Sequence, residues 1–217
     1  MAENIPIGMI RPMKKAARDA GKGSESTRRR LIEAAFAEIH QRGFQPTGLD
    51  TILARTELTK GAVYHHFENK TDLGHAVFDE VVVPWVEERW IAPVRDAKDP
   101  LGELIARVRR LPERTPRERS LGCPLGNLLL ESSGLDGPYR KRVEALLAAW
   151  STQLAADLRR GQREGTVRDD LRPDETAAFL VAALEGIVGT AKPAGDAGTL
   201  KQAVAGFVDY LRSLRPA

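Results

Sequence analysis

The chain has 217 residues, of which 42% are hydrophobic and 29% charged, and its formal net charge is +3. This length provides for one large or two small domains with an ample hydrophobic core. No apolar run approaches the ~20 residues of a membrane span, and the single cysteine excludes an internal disulfide framework. These features predict a cytoplasmic protein with no membrane partner and no secretory signal.

The excess positive charge lies in the N-terminal third of the chain. Residues 1–75 carry 12 Lys and Arg against 9 Asp and Glu, and the remaining residues carry 21 of each kind. A basic end is the expected electrostatic footprint of a DNA-binding protein. Residues 1–23, with their prolines, glycines and scattered basic residues, predict a flexible basic arm. This arm either lies along a DNA backbone or minor groove or is a solvated tail.

The first helix is predicted to begin near Ser24 or Ser26 and to end before Gly43. Leu31, Ala35 and Ile39 recur at four-residue spacing, as on one face of a helix. Gly43 is a natural C-terminal cap because glycine adopts the left-handed conformation that ends many helices.

A helix-turn-helix is predicted from Thr47 to Lys70. Thr47 is a candidate N-cap of its first helix, with Asp50 placed three residues on as in a capping box. Thr59 is the candidate N-cap of the second helix, which enters a DNA major groove with its N-terminal end leading. Such a helix needs small residues for close approach and long polar residues to reach phosphates and base edges. We therefore predict DNA contacts by Thr47, Thr59, Lys60, Gly61, Ala62, Tyr64, His65 and Lys70, and a packing role for Phe67.

The segment from Arg30 to Leu73, and above all Thr59–Phe67 with Lys70, resembles the TetR/AcrR-type bacterial repressors. One residue departs from the family pattern: Glu57 occupies a turn position where the family usually has glycine, and it is expected to cost some stability there. The resemblance implies an all-α fold. Its parts are a three-helix helix-turn-helix DNA-binding domain at 24–68 and a helical ligand-binding and dimerisation domain at 69–217.

The resemblance also implies a function. It is that of a homodimeric repressor, released by a small hydrophobic effector from a pseudo-palindromic operator in double-stranded DNA. The helix that begins at Asn69 joins the two domains in this family and transmits the response. Leu73, Val77 and Val81 are predicted to form its buried stripe, and Pro84 to end or kink it.

The remainder of the chain predicts further helices and no strands. Prolines at positions 100, 116, 138 and 173 suit the first turns of helices. The predicted helices are 99–111, 117–133, 138–163, 173–191 and 197–213. Large aromatic residues with few polar groups suit a pocket for a small hydrophobic effector. Its predicted lining is Trp85, Trp90, Leu104, Val108, Cys123, Leu125, Asn127, Leu128 and Trp150.

The last two predicted helices each carry a wide apolar face, with Gly186 and Gly189 allowing close approach. Two wide faces at the end of the chain indicate either an intramolecular core or a partner surface. In the resembled family the last two helices of two subunits form a four-helix bundle. We therefore predict a dimer interface of Phe179, Leu180, Ala183, Leu184, Ile187, Val204, Phe207, Val208 and Leu211.

Cys123 supports two hypotheses. It lies near the start of a predicted helix, where amide groups and the helix dipole lower the pKa of a thiol. Some branches of the resembled family carry a similar Gly-Cys-x-x-Gly-Asn run, and some members sense electrophiles or oxidants through cysteine. The alternative is a buried packing residue beside a close helix crossing at Gly126.

Two other functional classes are disfavoured, metal-binding proteins and enzymes. His65 and His66 are adjacent, so on a helix they point about 100° apart and do not converge on a metal. All four histidines precede Cys123, in the other predicted domain, which argues against a Cys-His nucleophile pair. We predict no enzyme, metal or cofactor. A helical small-molecule binding protein without DNA binding is the remaining alternative, supported by Glu57 and the modest basic excess.

Overall fold

The computed structural model describes residues 22–194 and 197–216, and within these ranges every regular element is a helix. The predicted all-α class is thus confirmed. Contacts between residues divide the chain into two units, one ending at Val77 and the other beginning at Phe78. The predicted basic arm lies outside the described residues, except that Lys22 and Gly23 already belong to the first helix.

The N-terminal unit contains four helices: α1 (Lys22–Arg42), α2 (Leu49–Leu53), α3 (Lys60–His66) and α4 (Lys70–Val77). α1 starts slightly earlier than predicted and ends where predicted. Gly43 follows it with a φ of 95°, and its amide donates a hydrogen bond to the carbonyl of Ile39 at 2.8 Å. Helix α1 contacts α2, α3 and α4. The core residues of this unit with at most 1% exposure include Leu31, Ala35, Ile52, Val63, Leu73 and Val77.

Helix α4 belongs to the N-terminal unit, although the predicted boundary at 68/69 assigned it to the C-terminal domain. Its N-terminus is capped by Asn69, since the Asp72 amide donates to Asn69 Oδ1 at 2.9 Å. Gly74 faces Phe44: a Cβ built on Gly74 would lie 2.4 Å from a carbon of that ring. The absence of a side chain at Gly74 therefore lets α4 pack tightly against the segment that follows α1.

Every regular element among the described residues of the C-terminal unit is a helix. Two π-helical turns, Phe78–Val82 and Glu87–Ile91, alternate with α5 (Val83–Val86) and α6 (Ala92–Arg95). The following helices are α7 (Pro100–Arg109), α8 (Pro116–Leu121), α9 (Pro124–Leu130), α10 (Gly137–Arg163), α11 (Pro173–Ala194) and α12 (Ala197–Ser213). Short 3₁₀ turns occur at Leu111–Glu113 and Ser132–Gly134. The predictions for α10 and α12, and for the start of α11, match closely.

Pro84 does not end the helical run, because a π-helical turn precedes it. Proline lacks an amide donor and its ring clashes with the carbonyl four residues earlier, and a wider turn relieves both problems. The same arrangement recurs at Pro93, which follows the second π-helical turn. The wider turn also shifts the buried stripe, so Val82 is buried and Val81 is only half-buried. The predicted burial of Val81 was wrong for this reason.

The predicted helix 117–133 was wrong, because it is two helices, α8 and α9. Gly122 separates them with φ 73° and ψ −155°, a conformation that residues with a side chain rarely adopt. Pro124 then opens α9. Helix α10 forms the centre of this unit, where it contacts α11, α7 and α6. Tyr139 is fully buried against Phe78, with their rings 5.8 Å apart.

Candidate nucleic-acid interface

Helix α3 is fixed at its N-terminus by Thr59, whose hydroxyl accepts a hydrogen bond from the Ala62 amide at 3.3 Å. The prediction that Thr59 caps this helix is confirmed. One side of α3 is anchored in the unit through Val63, which is fully buried, and Phe67 packs below it at 3% exposure. The predicted packing role of Phe67 is also confirmed.

The opposite side of α3 faces solvent. Its exposed residues are Thr59, Lys60, Gly61, Tyr64 and His65, whereas Ala62 is half-buried. The Tyr64 side chain is prominent, since 57% of the residue is exposed. Gly61 has open space beside it, with only the Thr59 hydroxyl within reach of an added Cβ. Helix α3 therefore presents a narrow polar surface over which a backbone of another molecule can approach closely.

Two lysines flank this surface in different ways. Lys60 forms a hydrogen-bonded ion pair with Asp50 at 2.8 Å, and both side chains are exposed. That hydrogen bond raises the pKa of Lys60, so its positive charge is secure. Lys70 is half-buried: its Nζ donates to the Gln45 carbonyl at 3.0 Å and lies 4.6 Å from the centre of the Phe44 ring. Lys70 thus stabilises the connection between α1 and α2, a role that the sequence did not reveal.

The two adjacent histidines occupy different environments. His65 is exposed and His66 is half-buried, with their ring centres 4.9 Å apart. Burial, then the nearby His65 and Arg28, lowers the pKa of His66, which favours its neutral form. Among the described residues there is no group of three or more His, Cys, Asp or Glu side chains arranged to hold a metal ion.

Thr47 requires a correction, since the N-cap of α2 is Gly48 and makes no side-chain capping bond. Thr47 is only 1% exposed, and its hydroxyl donates to the Gly43 carbonyl at 2.6 Å. Its oxygen therefore serves the end of α1 and is not available to a DNA phosphate. The predicted capping box is likewise absent, because the Asp50 carboxylate pairs with Lys60.

An ion-pair cluster around the buried Glu38, which sequence reasoning missed, fixes α2 relative to α1. Glu38 is 2% exposed, and its carboxylate pairs with Arg55 after α2 and, at 2.9 Å, with Arg42. The only sequence signal is an acidic residue next to the apolar stripe of α1. The turn itself is held by Thr56, whose hydroxyl donates to Leu53 and accepts from the Leu58 amide. Glu57 is exposed beside it.

In the C-terminal unit, the predicted pocket residues form packed core. Eight of the nine are buried, and the Trp90 and Trp150 ring centres are 6.0 Å apart. Asn127 is half-buried and committed to neighbours: its amide donates to Leu121 at 2.9 Å and accepts from Lys192 at 3.0 Å. A small cavity of about 10 Å³ lies elsewhere in this unit, roughly enough for one water. It is lined by Leu111, Arg114, Arg119, Val188, Ala191 and Leu200.

Cys123 is 6% exposed, and its thiol donates a hydrogen bond to Glu185 at 3.1 Å. Burial first, and then the negative charge of Glu185, raises the pKa of Cys123 well above its ordinary value. A Cβ on Gly126 would lie 2.2 Å from Glu185 Oε2, so the glycine permits this contact. The environment is that of the packing residue beside a close helix crossing, and not that of an activated thiolate.

The predicted dimer residues divide into two groups. Leu180, Leu184, Val204, Phe207, Val208 and Leu211 are between 0% and 6% exposed within the single chain. They belong to its own core, because their sides of α11 and α12 pack on α10 and α7. Only Phe179, at 51% exposure, and the half-buried Ala183 and Ile187 remain accessible. The wide apolar faces therefore serve mainly the intramolecular core.

The capped and outward-facing α3, braced by α1 and preceded by α2 and a short turn, is the arrangement of a helix-turn-helix DNA-binding protein. Comparison with protein families identifies the lineage. Residues 31–77 match the model described as bacterial regulatory proteins of the tetR family, and residues 97–207 match the tetracyclin repressor-like C-terminal domain. The chain belongs to the TetR family of transcriptional regulators.

Individual relatives agree with this assignment. The chain is 27% identical over 168 residues to the HTH-type transcriptional repressor DhaR of Mycobacterium sp. strain GP1, covering 74% of this chain and 80% of that protein. It is 28% identical over 190 residues to the transcriptional regulator AcuR of Cereibacter sphaeroides, covering 87% and 85%.

Solved structures extend the similarity to the fold. A TetR transcriptional regulator from Chloroflexus aurantiacus is 30% identical, with a TM-score of 0.76 and coverage of 88% of this chain and 96% of that one. A regulatory protein from Rhodobacter sphaeroides is 27% identical, with a TM-score of 0.75 and coverage of 85% and 98%. The chain is therefore a DNA-binding transcriptional regulator and not an enzyme. None of its described helices has the length and apolar character needed to cross a membrane.

Proposed function

We propose that the protein is a homodimeric repressor in the cytoplasm that binds a pseudo-palindromic DNA operator and releases it when a small effector binds the C-terminal unit. The observation that supports this most strongly is the solvent-facing side of α3. It combines exposed polar side chains with a glycine where a DNA backbone can approach. Its predicted contacts are Thr59, Lys60, Gly61, Ala62, Tyr64 and His65, with Lys70 at the edge.

The proposed roles follow from the chemistry of each side chain. Lys60 suits a phosphate or a guanine edge, and the Tyr64 hydroxyl and His65 ring suit phosphate contacts. Thr59 places its hydroxyl at the amide-rich start of α3. Lys70 differs from these residues, because a contact with a phosphate would compete with its hydrogen bond to the Gln45 carbonyl.

A symmetric dimer is proposed because one α3 reads only one half-site, and two-fold symmetric operators need two such helices about 34–36 Å apart. The exposed side of α11 and α12 supplies a candidate surface. Phe179 and Tyr210 are exposed and their rings meet at 5.2 Å. Small residues continue this surface, which we name the Phe179 surface: Ala182, Ala183, Gly186, Ala203 and Gly206.

Control by an effector is proposed as a shift between conformations. An effector that binds the form with low DNA affinity better reduces operator occupancy, by no more than its difference in affinity for the two forms. The buried aromatic pair Trp90 and Trp150 supports an apolar interior in this unit. A hydrophobic effector site among the predicted pocket residues requires that packed core to open.

Replacement of Lys60 by Ala tests the DNA interface directly. The expected result is an operator affinity lower by about tenfold or more, because each subunit loses a charged phosphate contact. The slope of log affinity against log salt should fall by about 1 for each lost contact. Fluorescence anisotropy over a salt series provides the measurement, and Lys98→Ala, an exposed lysine of the C-terminal unit, is the matched control.

Asp50→Asn gives the opposite expectation. It frees Lys60 from its partner at 2.8 Å and removes a negative charge beside the proposed DNA surface. Affinity should therefore rise, most clearly at low salt. Equal affinity of the wild type, the Lys60 variant and the Asp50 variant would remove α3 from the interface and favour a helical binding protein without DNA recognition.

A further inference from the structure

The small cavity in the C-terminal unit has a mixed lining of an unusual kind. Four of its residues are aliphatic, namely Leu111, Val188, Ala191 and Leu200, and the other two are Arg114 and Arg119. A cavity lined only by aliphatic side chains suits a neutral apolar molecule. The guanidinium groups of these two arginines add the preferred recognition group for a carboxylate.

Arg114 has no ion pair and no side-chain hydrogen bond among the described residues, although it is half-buried. Burial, followed by the positive charge of Arg89, lowers the pKa of Arg114 to about 10. The nearby Cys123, Glu118 and Glu185 offset this shift only in part. The effect of Arg89 shows that a second cation lies close by. An unpaired, desolvated cation is costly to a folded chain and is retained chiefly where it has a function.

Arg119 also lines the cavity. One end of its guanidinium donates to the Arg114 carbonyl, while its Nε is buried without a hydrogen-bond partner in the described part of the chain. An acceptor from a bound molecule would satisfy this donor. The two arginines thus leave unused donors at the same cavity.

The acidic residues near these arginines have other partners. The Glu118 carboxylate accepts hydrogen bonds from the Thr115 amide and hydroxyl in a capping box, at 2.7 and 2.9 Å. The Glu185 carboxylate accepts from the Cys123 thiol. With both acids ionised, Arg89, Arg114 and Arg119 leave one net positive charge, and burial, which raises the pKa of Glu185, adds to this excess. A single negative charge would neutralise the cluster.

We propose that this cavity is the head of an effector site for a small aliphatic monocarboxylate, whose carboxylate is held by Arg114 and Arg119 and whose chain contacts the four aliphatic residues. This inference rests on the proposed function, since it names the chemical class of the effector. It replaces the purely hydrophobic effector expected from sequence with an amphipathic anion.

The cavity volume of about 10 Å³ is smaller than an aliphatic monocarboxylate, so binding of such a molecule must displace the residues that line the cavity. Helix α8, which carries Arg119, is six residues long and ends at Gly122 with its positive φ, so we expect the displacement to occur there. A ligand that requires this displacement binds the displaced form better than the closed one. That difference in affinity is the property an effector needs.

The test is isothermal titration calorimetry of the full-length protein with sodium alkanoates from propanoate to octanoate, and with the corresponding primary amides. We expect saturable binding of at least one alkanoate and at least about tenfold weaker binding of its amide, which lacks the charge. Arg114→Gln and Arg119→Gln should each weaken alkanoate binding by about tenfold or more. Arg110→Gln, at an exposed arginine one turn before Arg114, is the matched control and should bind like the wild type.

Thermal unfolding separates a binding role from a structural one. Because Arg114→Gln removes an unpaired cation, its Tm without ligand should stay level or rise by about 2–4 °C. The proposal is overturned if no alkanoate binds or if amides bind equally well. It is also overturned if the Arg114 variant keeps full binding, or if the Tm of that variant falls by about 2–4 °C or more.

A measurement of operator binding distinguishes a failure of this proposal from a failure of the proposed function. If the protein binds DNA and no alkanoate affects or binds it, the carboxylate site is wrong and DNA recognition stands. If an alkanoate binds through Arg114 and Arg119 while no duplex is recognised, the site stands and the repressor function is wrong.

Discussion

Two opposing influences meet at Cys123, the N-cap residue of α9. The nearby Gly126 and Leu125 amides lower the pKa of its thiol, as expected at the start of a helix, whereas burial and Glu185 raise it. Burial dominates, so the thiol stays protonated at neutral pH and is a poor nucleophile. The helix position alone, which is all that the sequence shows, gives the wrong sign.

The expected consequence is an unreactive cysteine. Native protein at pH 7 to 8 should react with a disulfide reagent such as Ellman's reagent far more slowly than the chain unfolded in guanidinium, which serves as the control. Because the pKa is raised, reactivity should increase only as pH passes above the ordinary range of a thiol. Rapid stoichiometric labelling of the native protein, with loss of DNA binding, would instead support thiol sensing.

Residues that act locally were the predictable ones. Thr59 and Asn69 cap the helices that follow them because an N-cap acts within three residues of its own position. Thr47 has the same residue type, yet its hydroxyl serves the end of the preceding helix. The pair between Glu38 and Arg55 joins residues far apart in the chain, and no local pattern reports such a contact.

The packing of α4 against the segment that follows α1 requires that position 74 carries no side chain. Gly74 leaves room for Phe44, and an added Cβ would lie 2.4 Å from the ring. Gly74→Ala should therefore destabilise the protein by about 1–3 kcal/mol through overpacking, despite the better helix propensity of alanine. Unfolding by denaturant measures this change.

Gly137→Ala is the control, because nothing lies within 4 Å of an added Cβ at that position in the first turn of α10. It should be neutral or slightly stabilising. Adding Phe44→Leu to the Gly74 variant should restore part of the loss. Unchanged stability of the Gly74 variant would show that α4 does not pack on Phe44 as described.

Long helices could be predicted well from sequence and interrupted ones could not. Helix α10 has a capping aspartate, a proline in its first turn and a long amphipathic pattern, and all three agree. The break at Gly122 and the π-helical turns before Pro84 and Pro93 do not disturb the apolar spacing enough to be seen. Their positions depend on packing between helices.

At the scale of the whole molecule, the apolar sides of α11 and α12 are partly buried and partly exposed. The larger residues fill the core of the C-terminal unit, and the Phe179 surface remains exposed. Sequence periodicity identified both helices as apolar on a wide face, but it could not show which part of that face the chain itself covers. Packing on α10 and α7 decides this.

Phe179→Glu tests the Phe179 surface as a subunit interface. A charge at the centre of a buried apolar patch lacks a partner, so the variant should sediment as a monomer where the wild type sediments as a dimer. Leu130→Glu is the control, because Leu130 is 80% exposed and lies on α9, apart from that surface. A Phe179 variant that remains a dimer would place the interface elsewhere.

The central claim is that two copies of α3 read one duplex symmetrically, and selection from a random-sequence duplex library tests it most directly. The full-length protein should enrich an inverted repeat whose half-site centres lie one helical turn, about 10 base pairs, or a multiple of it apart. Two chains should bind each selected duplex, and Lys60→Ala should abolish the enrichment. Failure to enrich any sequence, or enrichment of a single half-site bound by one chain, would contradict the account.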